Sequence, residues 1–264
     1  TGIRFEHPIW DPEKCVGCAA CWAICPDSAL PPLVNTLSEI FTTAAKRMDD
    51  AGKSTTAVRG SFRALEKNLR DALSAASEKE PVQALIDNAI AATVDAAADK
   101  AALKAEFEGF RAELAAFKLS NTKLYFKAKE KKAEGTGGLL SITVNPYTCK
   151  GCMECVRVCP QSALLPVAQT PETVKELRDG YNFWLSLPTT KPEYMMFEDL
   201  NTGTGVLETM LLDKKSYMAM VGGDGACLGC GEKTAMHLFT ATVEALMQPR
   251  VAKQVAHVDS LIAG

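Results

Sequence analysis

Two cysteine runs of identical spacing constrain this chain more than any other feature of its sequence. Each run reads C-x2-C-x2-C-x3-C-P, and the two runs use eight of the ten cysteines: Cys15, Cys18, Cys21, Cys25, Cys149, Cys152, Cys155 and Cys159. In a pair of 4Fe-4S clusters with this ligand spacing, three cysteines of a run hold one cluster and the fourth holds the other. The spacing therefore predicts two clusters.

The predicted clusters must be neighbours, because each run supplies ligands to both. The last two cysteines of a run are four residues apart, which is about 6 Å along a helix axis. Cluster one is then assigned to Cys15, Cys18, Cys21 and Cys159, and cluster two to Cys149, Cys152, Cys155 and Cys25. Gly17 and Gly151, between the first ligands, allow the backbone to approach the sulfur atoms closely and to adopt a positive φ.

Disulfides and zinc are the alternative uses of so many cysteines. The N-terminus lacks the basic, apolar and small-residue pattern of a signal peptide, and the cysteines are clustered, which argues against a disulfide framework. Paired C-x-x-C units also form zinc sites, but zinc requires neither the third cysteine nor the proline after the fourth. We therefore favour iron-sulfur clusters in a reducing, cytoplasmic setting.

The two runs belong to an internal repeat. Residues 11–30 and 145–164 align without a gap at an offset of 134 residues and share two prolines, a glycine and a final Ser-Ala-Leu in addition to the cysteines. This repeat predicts a small α+β, ferredoxin-like two-cluster domain made of residues 1–33 and 136–168. Short stretches suited to its leading strands are 3–5 and 142–144.

The segment between the runs, 34–135, contains no cysteine and is rich in helix-forming residues. Apolar residues recur at helical spacing in 62–73, 82–94 and 103–117. This periodicity predicts three or four amphipathic helices that form a hairpin or bundle inserted into the ferredoxin-like domain. The alternative is a docking or dimerisation arm that ends in a lysine-rich stretch. Breaks are expected at three positions: Gly52, Gly60 and Pro81.

Charge and hydropathy exclude two classes of partner. The formal net charge is -3, and the inserted segment carries mixed rather than basic charge, which argues against nucleic acid as a partner. No uninterrupted apolar run approaches 18 residues, so we expect no membrane span.

The last two cysteines, Cys227 and Cys230, lie in a glycine-rich turn before an expected helix. A single C-x-x-C fits a redox dithiol, half of a zinc site, or two ligands of a third iron-sulfur cluster. Upstream, a helix is expected to begin at Thr170-Pro171, followed by a W-x-x-L-P segment at 184–188. The apolar stretch 243–262 has a helical pattern that we expect to be broken at Pro249.

The order of these motifs resembles pyruvate:ferredoxin oxidoreductase and related 2-oxoacid:ferredoxin oxidoreductases. In that family a two-cluster ferredoxin-like domain precedes an α/β thiamine diphosphate domain, which opens with G-A-C-x-G-C-G-E, here GACLGCGE at 225–232. The resemblance implies that Cys227 and Cys230 are two ligands of a third 4Fe-4S cluster and that Glu232 lies beside the thiamine cofactor. Residues 169–221 would then be a linker segment, and 222–264 the truncated start of the thiamine domain.

The resemblance further implies a role in oxidative decarboxylation of a 2-oxoacid to an acyl-coenzyme A, with electrons delivered to ferredoxin or flavodoxin and the full enzyme a homodimer. Thiamine diphosphate and magnesium would lie in the remainder of the enzyme, because no asparagine follows the Gly-Asp-Gly at 223–225 to complete a metal motif. We therefore expect a piece of a larger polypeptide with no catalytic residue in this chain. The alternative is an iron-sulfur electron-transfer subunit of a different oxidoreductase complex, which would not explain GACLGCGE.

Overall fold

The structure is a computed structural model that describes residues 4–220, apart from positions 98, 116, 196 and 200, and residues 231–263. Strands in the described residues form two antiparallel pairs. Strand β1 (Glu6–Trp10) pairs with β4 (Leu164–Ala168), and β2 (Pro32–Asn35) pairs with β3 (Leu139–Ile142). This mixture of small sheets and many helices fits the predicted α+β class.

Helices make up most of the described chain. They are α1 (Ala20–Ile24), α2 (Leu37–Asp50), α3 (Thr56–Ala75), α4 (Val82–Asp95), α5 (Lys100–Ala115), α6 (Ala128–Lys132), α7 (Glu154–Val158), α8 (Pro171–Ser186), α9 (Val206–Met210), α10 (Lys214–Ala219) and α11 (Gly231–Ala263). A π-helical turn, Lys123–Lys127, leads into α6, and a 3-10 turn covers Pro192–Tyr194.

The two sheets join the halves of the repeat. Each pairs a strand from the first half of the chain's repeat with one from the second, with Trp10 opposite Leu164 in the first sheet, and β2 extends to Asn35, two residues into the expected insert. The strands are displaced from the expected positions: β1 begins at Glu6, after the stretch 3–5, and β3 ends at Ile142, where a strand was expected to begin. The expectation was wrong because pairing with a neighbouring strand decides where a strand begins and ends more strongly than its content of β-branched residues does. Here β3 pairs with residues 32–35, and this pairing fixes its position.

Helices α2 to α5 form the inserted segment and share one apolar core. Thr36 begins α2 with a capping box, in which its hydroxyl accepts from the Glu39 N–H and the Glu39 carboxylate accepts from the Thr36 N–H. Aromatic rings of three helices meet inside, with centroids 5.6 Å apart for Phe41 and Phe110. Gly60 lies within α3 and is no break, since one glycine costs a helix only about 1 kcal/mol.

The inserted segment packs against helix α8. The rings of Phe117 and Phe183 lie 4.5 Å apart between centroids, and Trp184 is fully buried in the same core. Lys214 secures the end of α8, because its ammonium donates to the carbonyls of Leu185 (2.6 Å) and Leu187 (2.8 Å). The predicted linker segment is therefore folded: it contains α8, α9 and α10.

Helix α11 continues through Pro249, where a break was expected. A proline removes one backbone hydrogen bond and often kinks a helix without ending it. Many apolar side chains described on α11 are exposed: Met236, Leu238, Phe239, Leu246, Leu261 and Ile262. Among the described helices, none combines the length and apolarity needed to cross a bilayer.

Candidate iron-sulfur centres

Both cysteine loops have the same backbone conformation, as the repeat requires. Left-handed φ values occur at positions related by the 134-residue offset: Gly17 (77°) and Gly151 (72°), Ala19 (71°) and Met153 (60°), Ser28 (46°) and Ser162 (50°). Each loop then enters a short helix, α1 or α7, that carries the third cysteine and ends just before the fourth. The sequence repeat is therefore also a repeat of backbone geometry.

Glycine is required at positions 17 and 151 for space as well as for φ. A Cβ on Gly17 would lie 2.9 Å from the Tyr125 ring, and a Cβ on Gly151 would lie 2.5 Å from the Glu6 carbonyl oxygen. A backbone oxygen cannot move aside as a side chain can. Both loops thus depend on close packing against residues outside the cysteine runs.

The loops line two cavities that are partly open to solvent. The lining of the first includes four cysteines: Cys15, Cys18, Cys21 and Cys159. The lining of the second includes the other four: Cys25, Cys149, Cys152 and Cys155. The structure therefore brings together three cysteines of one run and the last cysteine of the other, in the two combinations that the spacing predicts.

The arrangement of the thiols suits a cluster better than a single ion. Among the described residues, no three His, Cys, Asp or Glu side chains lie close enough together to hold one metal ion. Zinc needs four ligands converging on one point. Four irons at the corners of a cubane need thiolates that surround a volume, and the two cavities provide such sets.

Burial makes several of these cysteines poor acids without a metal. Removal from water, with smaller contributions from the neighbouring Cys18 and Cys159, raises the pKa of the Cys15 thiol to about 11. Burial likewise raises the pKa of Cys25 to about 11 and that of Cys155 to about 12. Without iron these three thiols are therefore neutral at pH 7, and bound iron would hold them as thiolates.

Backbone amides donate to the sulfur atoms at matching positions in both halves. The Ala29 N–H donates to the Cys25 sulfur at 3.2 Å, and the Ala163 N–H donates to the Cys159 sulfur at 3.2 Å. Such hydrogen bonds stabilise negative charge on sulfur and are among the determinants of cluster potential. These donors are the same for both cavities.

Residues outside the two runs complete the site, and the sequence carried no signal for them. The Tyr217 hydroxyl of α10 accepts from the Leu30 N–H at 3.2 Å and reaches the Trp22 carbonyl at 3.5 Å. The Trp22 indole donates to the Glu208 carbonyl at 3.0 Å. The segment after the runs therefore braces the first cysteine loop.

The third predicted site lies largely outside the described residues. Cys227 and Cys230 fall in 221–230, which the structure does not describe, and Glu232 lies in α11 with its side chain not described. Their roles stay predictions.

Comparison with known proteins supports the same function for the two runs. A family model described as a 4Fe-4S binding domain matches residues 8–30 and 142–165, which contain all eight cysteines of the runs. No curated protein and no solved structure matches the chain. The two matched segments and the two cavities together indicate a ferredoxin-like iron-sulfur domain with an electron-transfer role.

Proposed function

We propose that the chain carries electrons by way of two adjacent 4Fe-4S clusters with exchanged ligands. One cluster is held by Cys15, Cys18, Cys21 and Cys159, and the other by Cys149, Cys152, Cys155 and Cys25. The observation that supports this assignment is the lining of each cavity by three cysteines of one run and the last of the other. When bound, such clusters supply one-electron transfer.

In this proposal the protein's own residues hold and shield the clusters. Trp10 and Trp22 line the first cavity and are almost fully buried, so they limit the access of water. Leu30 lines the second cavity and is equally buried. Cys152 is the one exposed cysteine among the eight described, so the second cavity lies nearer to the surface. Electron exchange with a redox partner is therefore favoured on that side.

We further propose that the chain is the electron-transfer portion of a 2-oxoacid:ferredoxin oxidoreductase in the cytoplasm, with pyruvate the expected substrate. Support comes from the motif order ending in GACLGCGE and from the exposed apolar side chains of α11, which are typical of a helix that packs against further protein. Cys227 and Cys230 would hold a third cluster, with Glu232 beside thiamine diphosphate. In this proposal the full enzyme is a homodimer whose remaining domains hold magnesium with the thiamine diphosphate. Coenzyme A accepts the acyl group, and ferredoxin or flavodoxin accepts the electrons.

A pair of matched substitutions tests the exchanged ligands. Anaerobically purified protein should contain eight irons and eight acid-labile sulfides in the two runs, with two electron paramagnetic resonance signals on reduction. Cys159→Ser should alter the same signal as Cys18→Ser, and Cys25→Ser should alter the same signal as Cys152→Ser. The reverse pairing would refute the assignment, and a colourless protein with zinc and no sulfide would refute both clusters.

The enzyme assignment is tested on the intact complex as isolated from its source. Twelve irons in the complex for each copy of this chain, and viologen reduction that depends on both a 2-oxoacid and coenzyme A, are the expected results. Eight irons with no such activity would instead favour the electron-transfer subunit of another oxidoreductase complex.

A further inference from the structure

Arg4 is a buried cation behind the second cysteine loop. The residue is 5% exposed, and its guanidinium donates to the carbonyls of Pro146 (2.7 Å) and Cys149 (2.9 Å). Its Cβ also lies close to Gly151, so the side chain is packed directly against the loop that carries the first ligands of the second cavity. A buried positive charge therefore lies behind the loop of the second cavity, although Arg4 does not line the cavity itself.

Arg4 has no carboxylate partner within the described part of the chain. Its Nε has no hydrogen-bond partner there, and the ionisable groups near it include Cys149, His7 and a second cation, Arg178. A buried guanidinium without an anion is costly, because desolvation is not offset by an opposite charge. The anion that the geometry offers is the set of thiolates beyond Cys149, together with the cluster that they would hold.

Among the described residues, none that lines the first cavity is charged, and Lys118, which donates to the Trp10 carbonyl there, is exposed. The position related to Arg4 by the 134-residue offset is Gly138, which has no side chain. The backbone donors to sulfur are the same in both halves, so they do not distinguish the cavities. The second cavity is also lined by Asp27, whose negative charge acts on Cys149 and opposes that of Arg4, and by Lys150. Arg4 is thus the buried cation that sets the two cavities apart.

We propose that Arg4 is the counter-charge of the second cavity and selectively raises the reduction potential of the cluster bound there. A cluster with four thiolate ligands is anionic and gains one further negative charge on reduction, so a nearby buried cation favours the reduced form. The inference rests on the proposed ligand assignment. Arg4 acts on the cluster through its charge and is not a ligand.

Redox titration followed by electron paramagnetic resonance tests the proposal, with the two signals assigned beforehand by Cys18→Ser and Cys152→Ser. Arg4→Gln should shift the potential of the second cluster to more negative values and leave that of the first unchanged, whereas Arg4→Lys should restore most of the shift. Arg178→Gln is the matched control, since it removes an exposed cation near Arg4 and should have a much smaller effect. Arg4→Met replaces Arg4→Gln if the latter does not fold.

The possible results distinguish failure of the proposed two-cluster function from failure of the proposed role of Arg4. Wild-type protein that takes up fewer than two clusters refutes the proposed function and this inference with it. Variants with both clusters and unchanged potentials, or with both potentials shifted equally, refute the Arg4 proposal alone. Neutral variants that lose only the second cluster, with the lysine variant retaining it, support the counter-charge. Loss of both clusters in every variant, lysine included, overturns it in favour of a purely structural role.

Discussion

Cys159 and Cys15 line the same cavity, although the whole helical insert lies between them in sequence. Each site therefore depends on residues from both sides of the insert, because one run supplies three of its four cysteines and the other run supplies the fourth. Formation of either site therefore requires the two runs to come together, which the strand pairs β1–β4 and β2–β3 secure.

Gly151→Ala should destabilise the protein far more than Gly52→Ala. Both glycines have a φ of 72°, so the strain of about 1–2 kcal/mol for an L-residue is common to both. Only at Gly151 would the new Cβ meet a backbone oxygen, 2.5 Å away, whereas nothing lies within 4 Å of the Cβ at Gly52. Denaturant unfolding and iron content measure the effect. Equal losses in the two variants would show that the contact with Glu6 is unimportant.

Tyr217→Phe should cost about 1–3 kcal/mol, because the buried Leu30 N–H then lacks its acceptor. Amide hydrogen exchange at Leu30 should become faster, and the free energy of unfolding should fall. Tyr147→Phe is the control, since that residue is 55% exposed and the change should stay within about 0.5 kcal/mol. Unchanged exchange at Leu30 would contradict the bracing role of α10.

Phe183→Ala should cost about 3–5 kcal/mol, as is typical of a buried aromatic ring, because the side chain joins α8 to the inserted helices. Leu185→Ala in the same helix should cost less than about 1 kcal/mol, since Leu185 is 41% exposed. Thermal unfolding of both variants measures the difference. A small loss for Phe183→Ala would mean that the insert folds independently of α8.

Asp213 should make stability depend on pH at acid values. Although burial alone would raise the pKa of Asp213, hydrogen bonds from Ser216 and Thr189 leave it lowered. Because the folded pKa lies below the unfolded value of about 3.9, the stabilisation is present above about pH 4 and is lost as the pH falls through the folded value.

Asp213→Asn keeps a helix cap but removes the charge and the titration, so it should be less stable than the wild type near pH 7, and its acid loss should be smaller. Asp213→Ala should lose about 1 kcal/mol at neutral pH. Unfolding free energies between pH 3 and pH 7 provide the test. Identical acid profiles for the wild type and Asp213→Asn would rule out this contribution.

Local sequence was sufficient for many of the elements. The periodic stretches 62–73 and 82–94 lie in α3 and α4, and Thr170 begins α8 as expected, because amphipathic spacing and capping act within a few turns. The helix breaks expected at Gly60 and Pro249 are absent, because the rest of the helix outweighs the preference of one residue. A glycine costs a helix about 1 kcal/mol and a proline about 3 kcal/mol, and the remaining residues of α3 and α11 outweigh these single costs.

The cysteine spacing by itself determined the class of site, and the family match to a 4Fe-4S binding domain confirms it, because the ligand chemistry depends on residue type and local distance. Only the tertiary structure decided what surrounds the sulfur atoms. Arg4, Tyr125 and Tyr217 reach the loops from segments without any repeated pattern. The electrostatics of a buried site depend on charges and dipoles brought near through folding, and distance along the chain does not encode them.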